Sequence, residues 1–347
     1  AQNDVDTETA NPDGLVFKTE EAAYVTVTES RQIEMGPRTV EYGPNDSPTA
    51  FLKPLLDSGP LAKAGDWAAV RTNLARDGYV FLRQALPPAH LDAARLRVLQ
   101  YFKSLNASSS DEATANSEDE TPDAAPQIRV VQLPKRQEQV VLDPSKPLQD
   151  GVLMKNCGFG CVPFMEGRND VTHSPELMQV FEGEALRRVF RGIFNCAEVN
   201  SFDFKWLRAV PREKFTGAHV DNVYMSRGSQ KLLTTWIPFG INPLERGGLC
   251  ICEGSHRLES FAQLRETYGK LDHERDGLSG SGWFSNDPVE ISKLFGPCTW
   301  RTADFMPGDV LIFTMQTVHM VRFHSSAEYR YNCSTSRTLP SFFFAIL

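Results

Sequence analysis

No stretch of the 347-residue chain approaches the roughly 18 consecutive apolar residues that a membrane-spanning helix needs. Basic residues are in short supply too. The 36 Lys and Arg are outnumbered by 44 Asp and Glu, for a formal net charge of −8. Without a basic patch, neither nucleic acid nor an anionic membrane surface is an expected partner. Cysteine numbers seven, an odd count in a long chain, which argues against a disulfide framework. Cys157 and Cys161 are spaced like half a zinc site, but no second CxxC or HxxxH completes it. Buried, reduced thiols are the simpler reading. The opening "AQNDVDTETANPDGLVF" lacks the basic-then-apolar start of a secretory signal. The ending "FFFAIL" is not the peroxisomal tripeptide, so a cytoplasmic location is the expectation. No repeat of roughly 20 to 50 residues recurs, which excludes a solenoid or propeller.

What is present is a globular composition, 41% hydrophobic and 23% charged, close to the average for folded domains. Residues 1–60 have little periodicity and much Pro, Gly and acid, and read as an extended N-terminal arm. Residues 61–347 read as a single domain. It opens with a helix whose apolar stripe is Trp67, Val70, Leu74 and Ala75, stopped by Gly78. A short strand "YVFLR", a turn at Pro87 and Pro88, and a second helix with Leu91, Ala94, Leu96 and Leu99 follow. Residues 104–126, "SLNASSSDEATANSEDETPDAAP", have no apolar period and predict a disordered acidic insertion. "SPELMQVFEGEALRRVFRGIF" begins with a Ser cap and a Pro in the first turn, and predicts one helix. From Ser201 onward the chain reads as strands: "FDFKWLRAV", "KLLTTWIPF", "GGLCICEG", the long "DVLIFTMQTVHMVRF", and "YRYNCSTSRTL". The expected class is α+β with a mainly β core, a sandwich or barrel flanked by the N-terminal helices.

Two His-x-Asp pairs invite a metal. His90 and Asp92 fall on the start of a helix, where residues two apart diverge by about 200° and cannot share an ion. His219 and Asp221 follow a strand in "TGAHVDN", and in extended chain such residues face the same way. A third ligand must come from another strand. His256 stands at a turn, His273 sits among charges and His324 in a loop. His319 lies late in the long apolar strand, where a polar side chain is costly unless it has a partner. Two imidazoles and one carboxylate suit Fe(II) with open coordination positions. Zinc hydrolysis and a metal-binding barrel with no turnover can use the same set. Arg330, 11 residues after His319, shares a polar strand face with Asn332, Ser334 and Ser336, and an arginine there can grip a carboxylate through two parallel hydrogen bonds. That favours an oxygenase taking a keto diacid. A zinc hydrolase would want a general base beside its water, and no HExxH-like arrangement occurs. Arg337 is one residue out of phase and should face outward.

These residues resemble the phytanoyl-CoA dioxygenase family. The likeness is carried by "DGYVFLRQALPP", "GAHVDN", "TTWIPFGINPLERGGLCICEGSHR", "PGDVLIF" with His319, and the His319 to Arg330 spacing, and it extends over about residues 65–340. The resemblance implies a double-stranded β-helix (jelly-roll) core and an Fe(II)- and 2-oxoglutarate-dependent oxygenase. Such an enzyme uses O2 and a small-molecule substrate, hydroxylating a C–H as 2-oxoglutarate becomes succinate and CO2. His219, Asp221 and His319 would be the iron ligands, and Arg330 would hold the distal carboxylate of 2-oxoglutarate. Trp236 matches an aromatic beside the cosubstrate, an ordinary core residue being the equal alternative. Thr234, on the same strand face, is a further cosubstrate candidate. His256 matches a Gly-Ser-His turn and is structural. Val321 and the Glu253-Gly254-Ser255-His256 turn depart from the family pattern and leave the substrate open.

Overall fold

Every residue of "VLIF" is apolar, so a strand built from it must be covered on both faces. In the computed structural model, Val310 and Ile312 face a layer of helices, whereas Leu311 and Phe313 face a second sheet. The structure describes residues 26–113, 170–208, 216–226, 228–273, 275–276, 282–322 and 341–346, with strand segments at 9–10, 16–17, 138–142, 152–156 and 164–165.

Two sheets carry the fold. The first has six strands in the spatial order β4 (Tyr79–Leu82), β11 (Val310–Thr314), β8 (Leu233–Pro238), β13 (Ser341–Ile346), β6 (Ser201–Arg208) and β5 (Phe164–Met165), all paired antiparallel. The second has seven: β7 (Thr216–His219), β12 (His319–Val321), β9 (Leu249–Cys252), β10 (Trp300–Thr302), β3 (Leu52–Pro54), β2 (Arg38–Tyr42) and β1 (Arg31–Met35). β3 pairs parallel with both of its neighbours, which makes this sheet mixed. The two sheets curl around an inner core of Tyr79, Phe81, Trp236, Leu249, Ile251, Phe305, Leu311, Phe313 and Val321. This is the expected jelly roll with flanking helices.

The helices cover the outer face of the six-stranded sheet. α1 (Trp67–Asp77), α2 (Pro88–Ala113), α3 (Pro175–Phe181) and α4 (Glu184–Phe194) bury Val70, Leu91, Ala94, Val98, Leu177, Phe181, Leu186 and Phe190 against it. Asp66 caps α1 by accepting from the Ala69 N–H, and Gly78 ends it in the left-handed region at φ 82°. A side chain at position 78 would be strained there and would strike the His256 ring. The outer face of the seven-stranded sheet is covered by Phe261, Leu264, Tyr268 and α5 (Pro288–Phe295).

Several sequence expectations are corrected. Residues 31–54, read as part of an extended arm, supply β1, β2 and β3; they are extended, but paired into the sheet. α2 continues to Ala113 and takes in 104–113, the first part of the expected acidic loop; residues 114–126 lie outside the described residues. Ala75 is exposed, and the buried stripe of α2 includes Val98 whereas Leu96 is only partly buried. The single helix expected after Ser174 is two, broken at Glu182 and Gly183. A Cβ at position 183 would meet the Gln179 carbonyl oxygen at 2.0 Å, so the close turn of chain there requires glycine. The long strand "DVLIFTMQTVHMVRF" is also two, β11 and β12, in different sheets with a turn between them. Thr317 sits in that turn, so it does not share a strand face with His319.

Candidate metal centre

His219 ends β7, and His319 begins β12. The two are direct register partners in the antiparallel pair, with ring centroids 4.1 Å apart. Gly217 lets β7 lie this close to its surroundings: a Cβ there would fall 2.5 Å from Asn286 Oδ1 and 2.9 Å from the Ser285 carbonyl oxygen. Asp221 arrives by a different route from the one the sequence suggested. It is not in extended chain but at φ −67°, ψ −21°, opening a helical turn over Asn222–Met225. The chain bends after Val220, and the bend swings the carboxylate back to the two rings. Asn222 holds the bend, its N–H donating to the Met315 carbonyl at 3.0 Å and its side-chain amide to the Gly269 carbonyl at 2.8 Å.

The result is a compact donor set. Asp221 Oδ1 stands 3.5 Å from His219 Nε2 and 3.4 Å from His319 Nε2. One ligand atom from each of the three residues lies within 4.8 Å of the others, and all three side chains are buried. Each ring is oriented from behind. His219 Nδ1–H donates to the Gly217 carbonyl at 2.8 Å, and His319 Nδ1–H to the Thr317 carbonyl at 3.0 Å. That arrangement fixes the tautomer and turns each Nε2 lone pair toward Asp221. Burial, with His319 adding to it, pushes the His219 pKa down to about 4 against the opposing pull of Asp221. The ring is therefore neutral at ordinary pH, the form that binds metal. Burial alone would raise the Asp221 pKa, but His319 and His219 outweigh it and hold the carboxyl well below the usual carboxylate range. Two imidazoles and a carboxylate, each anchored and aimed at one point, fit a divalent iron with open coordination positions.

The six-stranded sheet closes the site from the other side. The Thr234 hydroxyl, on β8, donates to Asp221 Oδ2 at 2.5 Å. The Phe313 ring, on β11, stands 4.6 Å from the His319 ring. Thr234, a cosubstrate candidate from the sequence, is thus placed as a partner of the carboxylate. Trp236 is buried in the inner core with its ring 4.4 Å from that of Phe305. His90 and Asp92 lie on α2 away from the site; among the described residues, the set that could hold a metal is His219, Asp221 and His319. His256 packs on α1, its Nε2 3.2 Å from the Ala75 carbonyl. His273, expected among solvated charges, is partly buried with its ring 5.8 Å from that of Tyr224. Arg330, Arg337, His324, Cys157 and Cys161 lie outside the described residues. Ser255 was not singled out from the sequence. Its hydroxyl donates to the Cys252 carbonyl at 2.7 Å and accepts from the Val318 N–H at 2.9 Å, so it ties β9 to the residue before His319. Its place inside the Gly-Ser-His turn was the available signal.

The sequence profile described as phytanoyl-CoA dioxygenase (PhyH) matches residues 74–331. The chain belongs to the phytanoyl-CoA dioxygenase family. Fe(II) and 2-oxoglutarate are that family's metal and cosubstrate, in keeping with the donor set just described. Among solved structures, the chain is similar to the non-heme alpha ketoglutarate dependent epimerase SnoN from nogalamycin biosynthesis, with 14% identity, a TM-score of 0.46, and coverage of 82% of this chain and 83% of that one. EctD from S. alaskensis with 2-oxoglutarate and 5-hydroxyectoine shares 13% identity at a TM-score of 0.47, over 94% of this chain and 86% of that one. AviO1 from Streptomyces viridochromogenes Tue57 shares 14% at 0.45, over 81% and 94%. No curated protein matches the chain.

Proposed function

We propose that this phytanoyl-CoA dioxygenase family member hydroxylates an unactivated C–H of a small-molecule substrate, coupled to decarboxylation of 2-oxoglutarate to succinate and CO2. The observation that carries the reading is the convergence of His219 Nε2, His319 Nε2 and Asp221 Oδ1, all three side chains buried. These three would hold Fe(II), which when bound supplies the activation of O2.

The chain's own residues do the rest. The Gly217 and Thr317 carbonyls keep both rings in the Nδ1-protonated tautomer. Thr234 engages Asp221 Oδ2 and so leaves Oδ1 for the metal. Burial of all three side chains excludes bulk water from the ligand side. Arg330 would grip the distal carboxylate of 2-oxoglutarate with its planar fork, and Trp236, in the inner core, would supply apolar wall beside the cosubstrate. No described helix is long and apolar enough to cross a membrane.

Anaerobic titration with Fe(II) and then 2-oxoglutarate, followed by a substrate screen reading succinate release, tests the proposal. His319→Ala should lose iron-dependent succinate formation while keeping the wild-type circular dichroism, and retained turnover would overturn the ligand assignment. Arg330→Ala should weaken 2-oxoglutarate by about 30-fold or more while leaving iron binding intact, as expected for losing one side of a buried charge-assisted pair worth roughly 2–5 kcal/mol. Binding within about twofold of wild type, well under 1 kcal/mol, would remove Arg330 from that role.

A further inference from the structure

A cavity of about 150 Å³ opens between the two sheets, with Tyr42, Asn45, Pro54, Leu55, Arg83 and Asp304 in its wall. Arg83 leaves β4 of the six-stranded sheet; Tyr42 ends β2, Leu55 follows β3 and Asp304 follows β10, all on the seven-stranded sheet. The place is distinct from the metal centre. Arg83 pairs with Asp309 Oδ2 at 2.7 Å, and Phe313, which packs on His319, lies further along β11 by about 13 Å, at roughly 3.3 Å per residue. The volume is below the roughly 300–1,000 Å³ of a pocket for a drug-sized ligand and suits a molecule of few heavy atoms.

The wall holds polar groups that the fold has not used. Tyr42 is 1% exposed, yet its hydroxyl makes no hydrogen bond to a described residue. Such a buried group calls for a partner. Burial pushes its pKa up to about 12, with Asp304 adding and Arg31, Arg322 and Arg83 opposing, so at ordinary pH the hydroxyl keeps its proton and can donate it. Asn45 spends its Oδ1 on Arg301 Nη1 at 2.6 Å, which leaves the Nδ2 amide to donate. Arg83 is a fixed cation. Its Nη1 donates to Asp309 Oδ2 and to the Asp304 carbonyl, both at 2.7 Å, and its guanidinium lies 4.8 Å from the Phe81 ring centroid.

Asp304 supplies the opposite sign. Its Oδ1 accepts from the Leu244 N–H at 2.7 Å, whereas Oδ2 is 3.9 Å from Arg31, the far limit of an ion pair, and keeps lone pairs for a donor. Among the described residues of the wall, the charged ones are thus Arg83 and Asp304, one of each sign. The complement of a wall with a cation, a carboxylate and two spare donors is a molecule that carries both charges at once.

We propose that the cavity binds a small amino acid as its zwitterion, with the carboxylate received by Arg83, the Tyr42 hydroxyl and the Asn45 amide, the ammonium by Asp304 Oδ2, and a short apolar side chain by Pro54 and Leu55. Hydrogen bonds with a charged partner are roughly twice as strong as neutral ones, so each end of the ligand contributes. An occupant would join the end of β4 to β2 and β10, and binding to the folded state alone raises the melting temperature.

The full chain, freed of metal by a chelator, is titrated with L-alanine and followed by saturation-transfer NMR on the ligand methyl group and by melting temperature. Saturable binding with a rising melting temperature is expected. Propionate lacks the ammonium and ethylammonium lacks the carboxylate; each should bind at least about tenfold more weakly, as expected for losing a hydrogen bond to a charged group. Tyr42→Phe keeps the ring under Arg31 and should weaken L-alanine by about tenfold on the same grounds. Without ligand it should melt no lower than wild type, because the hydroxyl it removes bonds nothing. Arg330→Ala should bind L-alanine as wild type does. No binding of L-alanine, or equal binding by Tyr42→Phe, overturns the site. Propionate or ethylammonium bound as well as L-alanine overturns the zwitterion. A Tyr42→Phe protein that melts lower without ligand shows that the hydroxyl serves the fold, and loss of binding in Arg330→Ala moves the ligand to the cosubstrate's place; either overturns the assignment.

Discussion

Asp221 depends on a single hydroxyl. Thr234 reaches across from the opposite sheet to its Oδ2, and the contact is buried at both ends. Replacing Thr234 with Val keeps the shape and removes the donor. Outer partners of metal ligands typically contribute about 10–100-fold to metal affinity. Thr234→Val should therefore weaken Fe(II) binding by that factor in an anaerobic titration while leaving secondary structure unchanged; affinity equal to wild type would show that Asp221 orients without it. At this scale the residue types were legible. His219 and Asp221 stood out as a His-x-Asp pair after a strand, and His319 as a polar group in an apolar strand, which demands a partner. The partner of Asp221 was not legible, because Thr234 is 13 positions away and only the facing of two sheets brings it near.

At the scale of elements, the turn between β11 and β12 matters most. It lets one apolar run cross from one sheet to the other, and thereby delivers His319 opposite His219. Three hydroxyl contacts hold it. Thr317 Oγ1 donates to the Gly78 carbonyl at 2.8 Å, Thr314 and Thr317 share a hydrogen bond of 2.8 Å, and Ser255 accepts from the Val318 N–H. Ser255→Ala leaves that buried N–H without its acceptor, which costs about 1–3 kcal/mol. Urea denaturation should show the loss as a lower midpoint with an unchanged slope. An unchanged midpoint would mean that the turn does not need Ser255. Periodicity could not reveal this turn, since "DVLIFTMQTVHMVRF" has no Gly or Pro to punctuate it.

Across the whole molecule, the helical layer is tied to the six-stranded sheet by a buried cation. Lys205, on β6, is 1% exposed and pairs with Glu182 at 3.1 Å, in the break between α3 and α4. Ser201 donates to the same carboxylate. Burial tends to raise the Glu182 pKa, but the hydrogen bonds from Ser201 and Lys205 and the charge of Lys205 outweigh it, so the net shift is downward. A carboxyl lowered on folding contributes stability above its unfolded pKa and loses it as pH falls through the lowered value. Stability should thus decline on the acid side of the ordinary carboxylate range. Glu182→Gln should flatten that decline and lower stability at neutral pH, because the buried Lys205 loses its ion pair with Glu182. Thermal melts of both proteins between acid and neutral pH measure both effects; parallel pH profiles would show that Glu182 does not titrate with folding.

The sequence by itself pointed to the β-rich class, the helices that flank it, the three residues that the fold brings together and the family. The class, the helices and the candidate donors follow from local chemistry: apolar alternation, Gly and Pro punctuation, and the cost of polar groups among apolar neighbours; the family follows from the resemblance of its motifs. It also separated His219 and Asp221 from the pair on α2, since two residues apart on a helix cannot converge. Only the tertiary structure decided that Asp221 reaches the rings from a bend and not from a strand. The same holds for β1 to β3 extending the second sheet and for Thr234 serving the carboxylate. Those outcomes depend on which strands meet, and pairing partners 13 to 250 or more residues apart, such as Thr234 with Asp221 or Arg301 with Asn45, leave no local periodic trace. The sheets set such contacts through long-range register, which the chain encodes only collectively.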